Sequence, residues 1–363
     1  MKILQIIYSL RVGGAERFVV DLSNELSRQG HEVTLCILSD DSIGNFGFYK
    51  SEISQNISYI NLKIPVGFRL SNILVLRKVI KRVNPQIVHC HLNLVNYIFP
   101  LTLVFPKIKF FHTIHSDAVK EVSNRVEYWI RRFFYANFKM KAITISAETS
   151  RSFTLFYKIT PFKEIYNGRL KPEQSAVFFD TKIEIQKYRS EGNTVFVHVG
   201  TCTSVKNQEM LINVFNKVNQ DIEPVVLLII GSGFDSEEGE KLKNLACKKI
   251  LFLGEKHNVS DYLLNADAFC LSSMYEGMPL SLIEAFACGC IPICTPVGGI
   301  INTIKNGKTG YISKSVSEND YFQSVLNYLG NKDQVKREDL IQFYLSRFSI
   351  EKCTKNYLLL YSK

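Results

Sequence analysis

Short apolar runs separated by polar, glycine-marked stretches recur along the whole chain. Ile3 to Tyr8 is one such run; a glycine loop follows, then apolar positions at helical spacing from Ala15 to Arg28, then a second run from Val33 to Leu38. Runs of period two alternating with a 3.6-residue period predict a βαβ unit. Further strands are predicted at Ile87 to Cys90, Phe110 to Ile114 and Ala142 to Ile145, with helical stretches between them, as a parallel sheet covered on both faces requires. This series closes near Asn167-Gly168. Weak periodicity and many polar residues predict a linker over 169–193. A second series follows: Val195 to Val199, Val225 to Ile230, Ile250 to Leu253, Ala268 to Leu271 and Ile291 to Cys294. Each of these runs meets Gly, Ser or Thr at its end, where strands of open α/β sheets deliver the chain to a ligand crevice. The expected architecture is α/β with two doubly wound, Rossmann-like domains facing across a cleft. The first spans 1–168 and the second 194–345, with a terminal helix in 346–363 packing back toward the first.

Composition agrees with two cores. With 363 residues, 46% of them hydrophobic and 21% charged, the chain has apolar matter for two domains and no signature of disorder. The formal charge of +10 points to anionic partners, which nucleotides, nucleic acid or anionic lipid headgroups would equally satisfy. The opening apolar run resembles a short signal core, but Arg11 interrupts it and no small-residue cleavage site follows, so a buried first strand in a cytoplasmic protein is expected. Val83 to Pro106 holds no charged residue, yet His89, His91, Asn93, Asn96, Pro100 and Pro106 break it, which predicts buried strand plus buried helix rather than a membrane span. Nine cysteines without regular spacing read as reduced thiols, and Cys288, Cys290 and Cys294 lack the paired spacing of a zinc site.

The densest chemistry lies in Ser272 to Gly299, SSMYEGMPLSLIEAFACGCIPICTPVGG. Glu276 falls in a loop, Pro279 is suited to start a helix, and Glu284 falls on that helix's first turns. Free N–H groups around Gly277, Met278, Pro279 and Leu280 and the positive helix end suit a phosphate, and carboxylates on either side suit hydroxyls of sugar and ribose. Glutamates that merely complement the helix dipole are the alternative, and that alternative leaves the Glu-Gly-Met-Pro loop without a reason. A second strand-loop-helix carries Gly13 and Gly14, whose pairing permits close backbone approach to an anion but equally serves a tight turn. In the loop after Val199, Lys206 is placed to neutralise a departing phosphate. His89 and His91 end one predicted strand; His112 and His115 end the next. Alternate positions share a face, so metal ligation is one reading and neutral imidazoles bonding sugar hydroxyls another. No Asp-x-Asp is present to bridge a metal to a diphosphate.

Together these residues resemble the family 4 retaining glycosyltransferases of the GT-B fold over nearly the whole chain. The resemblance is carried by GGAER, VHCHL, HTIH, YNG at Tyr166 to Gly168, KNQ from Lys206, GSG from Gly231, FLG at Phe252 to Gly254, and EGMPLSLIE, the family's Glu-x7-Glu motif. It implies that Glu276 contacts the transferred sugar, Glu284 the ribose, the backbone of Gly277 to Leu280 the donor, and Lys206 the diphosphate. It further implies that Gly14 approaches the donor phosphates, that His115 lies near the reacting sugar, and that Gly13, His91 and His112 lie on the acceptor side. Neither metal nor other cofactor is implied. Where relatives carry an arginine as a second cation this chain has Thr201, and Arg11, Arg17 or Arg169 is expected to supply the charge.

The resemblance implies transfer of a hexosyl or N-acetylhexosaminyl unit, from a UDP-sugar, to a glycan or polyprenyl-linked acceptor in surface polysaccharide, capsule or lipopolysaccharide assembly. No nucleic-acid partner is expected. An anionic membrane surface is a further expected partner: Arg69 to Arg82 carries Arg69, Arg77, Lys78, Lys81 and Arg82 among leucines and isoleucines, and Arg125 to Lys141 combines Arg131, Arg132, Lys139 and Lys141 with Tyr128, Trp129, Phe133, Phe134 and Tyr135. The first segment is better read as a helix that packs an apolar face on a sheet and solvates a basic one, whereas for the aromatic-rich second segment that reading and membrane contact stand level. The competing functions are a nucleotide-sugar epimerase on the same fold and a catalytically silent sugar-nucleotide or membrane-binding module.

Overall fold

The computed structural model describes residues 1–65, 67, 69–137 and 140–363. Met1–Leu170 with Ser349–Lys363 form one unit, and Lys171–Phe348 form the other.

The first unit begins with β1 (Lys2–Ile7), α1 (Gly14–Arg28), β2 (Glu32–Ile37), β3 (Ser58–Asn61) and α2 (Ser71–Val83). It continues with β4 (Ile87–His91), α3 (Val95–Val104), β5 (Lys109–Ile114), α4 (Arg125–Asn137), β6 (Met140–Thr144), α5 (Ala147–Tyr157) and β7 (Lys163–Glu164). All pairings are parallel, in the order β3-β2-β1-β4-β5-β6-β7, so the order reverses direction between β1 and β4. Because successive side chains alternate faces, Leu4, Ile6, Val88, Cys90 and Phe110 build one core, and Ile3, Ile7, Ile87 and Phe111 build the other. The uncharged stretch from Val83 to Pro106 is strand plus helix, with Pro100 inside α3.

The second unit contains α6 (Phe178–Ser190), β8 (Thr194–Val199), α7 (Gln208–Asp221), β9 (Val225–Ile230), α8 (Glu237–Leu245), β10 (Ile250–Gly254) and α9 (Val259–Asn265). After these come β11 (Ala268–Leu271), α10 (Leu280–Ala287), β12 (Ile291–Cys294), β13 (Tyr311–Ile312), α11 (Glu318–Gly330) and α12 (Arg337–Arg347). Its sheet is also parallel, ordered β10-β9-β8-β11-β12-β13, and reverses between β8 and β11. Much of the stretch expected as a linker is therefore structured: α6 packs on α9 and β8, with Thr181 and Ile185 buried.

The last helix, α13 (Ile350–Ser362), returns to the first unit. Its N-cap Ser349 accepts the Lys352 N–H, and the Ile350 N–H donates to the Arg169 carbonyl at 3.0 Å. Gly168 is required there, since a β-carbon at that position would overlap Cys353 Cβ and press on Ile350. Ile350, Cys353, Tyr357, Leu360 and Tyr361 are buried against α1 and the sheet. At about 2 kcal/mol per buried large side chain, this contact is a substantial part of the first unit's stability.

Candidate functional site

In each unit most of the chemistry predicted from sequence falls at the carboxyl ends of the strands flanking the reversal of strand order, where open α/β sheets leave a crevice, with His112 and His115 one strand further on, at β5.

In the second unit the loops after β8 and β11 meet. Lys206 Nζ lies 2.6 Å from Glu276 Oε1, with side chains 22% and 13% exposed, and Ser273 Oγ donates to the same carboxylate oxygen at 2.8 Å. The two loops are tied by the Met274 N–H to the Val205 carbonyl and by Ser272 Oγ to the Lys206 carbonyl, both at 2.8 Å. Beneath Lys206, His198 Nδ1 donates to the Cys270 carbonyl at 2.9 Å, so its Nε2 is an acceptor facing Gln208 Nε2 at 3.4 Å. Burial pushes the His198 imidazole down to about 4, keeping it neutral. Gln208 also donates to the Thr201 carbonyl at 3.0 Å, which fixes Thr201 at the lip of the loop.

Glu276 is backed by residues to which sequence reasoning assigned no role. Gly298 has φ +51°, and a β-carbon there would collide with the Glu276 carbonyl; the Gly299 N–H donates to the Gly277 carbonyl at 2.7 Å. The Val297 to Ile300 turn thus sets the path of the Glu276–Gly277 backbone. The pair of glycines closing the motif was the available signal. Pro279 is the N-cap of α10 and not its first turn: its backbone is extended, and its carbonyl accepts the Ile283 N–H at 3.3 Å. The unbonded helix-start N–H groups are accordingly those from Leu280 onward. Met278 is buried and Glu284 half-buried on α10.

In the first unit Gly13 is the N-cap of α1 and Gly14 its first residue. A side chain at Gly13 would overlap the buried Glu16 carboxylate, which Arg11 approaches at 3.4 Å. Of the three arginines expected to compensate for Thr201, Arg169 binds Asp21 at 2.7 Å and Arg17 binds Glu52 and Asp21.

The histidines divide by face. His112 lies on the α4 side, bonded to the Tyr135 hydroxyl at 2.7 Å and the Leu92 carbonyl at 2.9 Å, which makes it a bridge between strand end and helix. His91, on the opposite face, lies 3.1 Å from His115 Nε2 through Nδ1 and 2.9 Å from Gln5 Oε1 through Nε2. Burial depresses His91 and His112 well below the ordinary imidazole range and His115 to about 3, so all three are neutral. The α4 segment departs from a simple basic face. Arg131 is fully buried, bonding Glu127 at 2.6 Å and Asn93 and Asn96 at 3.1 Å, with Glu121 at 3.6 Å. It ties the loop after β4 to the loop after β5, where Ser116 Oγ donates to Glu121 at 3.3 Å. Burial pushes the Glu121 carboxyl up to about 7, against the neighbouring Arg131 charge. Lys139 lies outside the described residues. Among the described residues no cluster of three or more His, Cys, Asp or Glu is arranged to hold a metal, and no helix is long and apolar enough to cross a membrane.

Comparison with known proteins adds to this geometry. Residues 180–344 match the family described as glycosyl transferases group 1, and residues 12–169 match glycosyltransferase family 4. The chain is 24% identical over 313 residues to an N-acetyl-alpha-D-glucosaminyl L-malate synthase of Bacillus anthracis, covering 83% of this chain and 80% of the relative. It is 25% identical over 342 residues to a Campylobacter jejuni 4-alpha-N-acetylgalactosaminyltransferase acting on a diphospho-undecaprenol-linked sugar, covering 89% and 88%. The fold superposes on Anabaena Alr3699/HepE, solved with UDP and glucose, with a TM-score of 0.80 at 17% identity over 100% of this chain and 99% of the other.

Proposed function

Since the chain belongs to the family 4-type glycosyltransferases of the GT-B fold, we propose that it moves a hexosyl or N-acetylhexosaminyl unit from a UDP-sugar to a glycan or polyprenyl-linked acceptor in cell-surface polysaccharide assembly. The transfer retains anomeric configuration and needs no metal. The observation that carries this reading is the 2.6 Å contact between Lys206 and Glu276 at the β8/β11 reversal, beside the start of α10. Leaving-group departure from a nucleotide sugar builds negative charge on the diphosphate, and Lys206 with the backbone N–H groups from Leu280 onward supplies the matching positive field. Glu276 accepts hydrogen bonds from hydroxyls of the transferred sugar, and Glu284 accepts from the ribose. Gly14 admits the phosphates closely, and His115 contacts the sugar. All three candidate arginines are paired, Arg17 with Asp21 and Glu52, Arg169 with Asp21 and Arg11 with Glu16. Arg11 meets its partner at 3.4 Å with an exposed side chain, while the other two have closer contacts, so the role of second cation in place of the missing arginine at Thr201 falls to Arg11.

The relatives support the substrate classes: one is named for an undecaprenol-linked acceptor, and a protein of the same fold was solved with UDP and glucose. A lipid-linked acceptor would bring the protein to a membrane surface, and α4 offers a place for that contact. Val126, Trp129, Ile130 and Phe133 are 69%, 62%, 46% and 52% exposed at positions i, i+3, i+4 and i+7, a single apolar stripe with exposed Arg125 at its start and half-buried Arg132 alongside.

Incubation with UDP-sugars and a polyprenyl-linked acceptor tests the reading. Transfer with the product's anomeric configuration matching the donor's supports it. An epimerised donor in the absence of acceptor would point to the epimerase reading, and nucleotide binding without any product would point to a silent module.

A further inference from the structure

Three neighbouring strands of the first unit place polar side chains on the face covered by α1 and α13: Gln5 on β1, His89 and His91 on β4, and Thr113 on β5. All four are fully buried, and His115 follows two positions after Thr113. Their hydrogen bonds form two short chains. Thr113 Oγ1 meets the Tyr357 hydroxyl at 3.0 Å and His89 Nε2 at 2.8 Å; His89 Nδ1 meets the Tyr361 hydroxyl at 2.7 Å. On the other side, Gln5 Oε1 meets His91 Nε2 at 2.9 Å, and His91 Nδ1 meets His115 Nε2 at 3.1 Å. Between the two stands the Gln5 amide nitrogen, which is buried without a hydrogen-bond partner.

We propose that this chain holds His115 as the tautomer protonated at Nε2, leaving Nδ1 to accept a hydrogen bond from a hydroxyl of the transferred sugar, with Gln5, acting through His91, as the positioning residue. The proposal rests on the reading of His115 as a sugar-contacting residue. A neutral imidazole donates from one nitrogen and accepts at the other. The Gln5 oxygen only accepts, so His91 donates to it from Nε2, and its Nδ1 is left as an acceptor. His115 Nε2 must then carry the proton. Two charged rings so close would repel, and burial keeps both neutral. Turning the Gln5 amide over would reverse every bond from Gln5 to His115, which makes the amide the element that selects the tautomer.

The tautomer is read directly by long-range nitrogen–proton correlation spectra of histidine-labelled protein. The unsubstituted protein is expected to show His115 with a protonated Nε2 and an unprotonated Nδ1. Gln5→Met, which keeps the shape but removes the acceptor, is expected to give a mixture of tautomers at His115; Gln5→Glu, which keeps an acceptor toward His91, is expected to restore the Nε2-protonated form. In the transfer assay Gln5→Met is expected to lower kcat about tenfold, the worth of one misdirected hydrogen bond, with UDP affinity unchanged. A His115 protonated at Nδ1 in the unsubstituted protein, or an unchanged tautomer in Gln5→Met, overturns the proposal. Since the spectra require no substrate, absence of transfer by the unsubstituted protein would overturn the proposed function without touching the tautomer assignment.

Discussion

Lys206 and Glu276 hold each other, so removing either leaves the other charge partly buried and unpaired. Lys206→Ala is expected to reduce transfer by about two to three orders of magnitude, the usual worth of one group stabilising developing negative charge, while Lys206→Arg recovers part of it. Steady-state rates at saturating donor check this; an unchanged rate in Lys206→Ala would place the diphosphate elsewhere. The motif residues were legible because loop carboxylate, helix start and second carboxylate fall within nine consecutive positions. Ser273 and Gly298 were not, because their importance lies in what they touch: a carboxylate oxygen at 2.8 Å and a carbonyl that leaves no room for a β-carbon. His115 was legible as a strand-end histidine, whereas its protonation pattern was not, since Gln5 and His91 are 86 residues apart.

At the scale of elements, the Val297 to Ile300 turn and the Glu276 loop form one support. Gly298→Ala adds both a left-handed strain and a collision with the Glu276 carbonyl, so it is expected to displace the loop and abolish most transfer while the melting temperature of the protein shifts by only a few degrees. Retained transfer in that variant would show that the loop tolerates displacement. The exposed stripe of α4 makes a separate prediction. Trp129→Ser with Phe133→Ser is expected to abolish cosedimentation with anionic phospholipid vesicles and leave transfer to a water-soluble acceptor analogue unaffected. Undiminished vesicle binding would remove α4 from the membrane reading. The strands were readable because they are short β-branched runs ending in turn residues. α6 was not, since its apolar side chains encircle it: Phe179 and Ile183 point to solvent while Thr181 and Ile185 are buried, so no stripe appears in the sequence. The edge strands β7 and β13, at two residues each, are too short to carry a period.

Across the whole molecule, four buried histidines and the half-buried His115 are held neutral: His89, His91 and His112 well below the ordinary range, His115 near 3 and His198 near 4. Each binds a proton on unfolding below about pH 6.5 but stays neutral when folded, so the unfolded state takes up more protons and stability falls as pH drops from about 6.5 toward the depressed folded values. For fully buried His198 this amounts to at most about 2 kcal/mol at pH 5. Glu121, raised to about 7, works in the opposite direction between about pH 7 and 4.5, because it is protonated in the folded state first. Buried Glu16, also raised by desolvation, works the same way as Glu121. Five imidazoles against these two carboxyls give a net loss, and the melting temperature is expected to be lower at pH 5 than at pH 7; an equal or higher value would show that the histidines are not held neutral. The alternation of strands and helices made two parallel-sheet units legible, and the return of the terminal helix to the first unit was expected; which residues hold it there was not legible, since those contacts join opposite ends of the chain.

The division of labour within the Glu276 to Glu284 stretch is the centre of the account, and paired measurements of UDP affinity and transfer rate in Glu276→Ala and Glu284→Ala test it most directly. Glu276→Ala is expected to bind UDP within about threefold of the unsubstituted protein yet lose transfer by about a hundredfold or more, whereas Glu284→Ala weakens UDP binding itself by about tenfold. Equal loss of UDP binding in both variants, or transfer surviving in Glu276→Ala, would contradict the assignment of sugar to the first glutamate and nucleotide to the second.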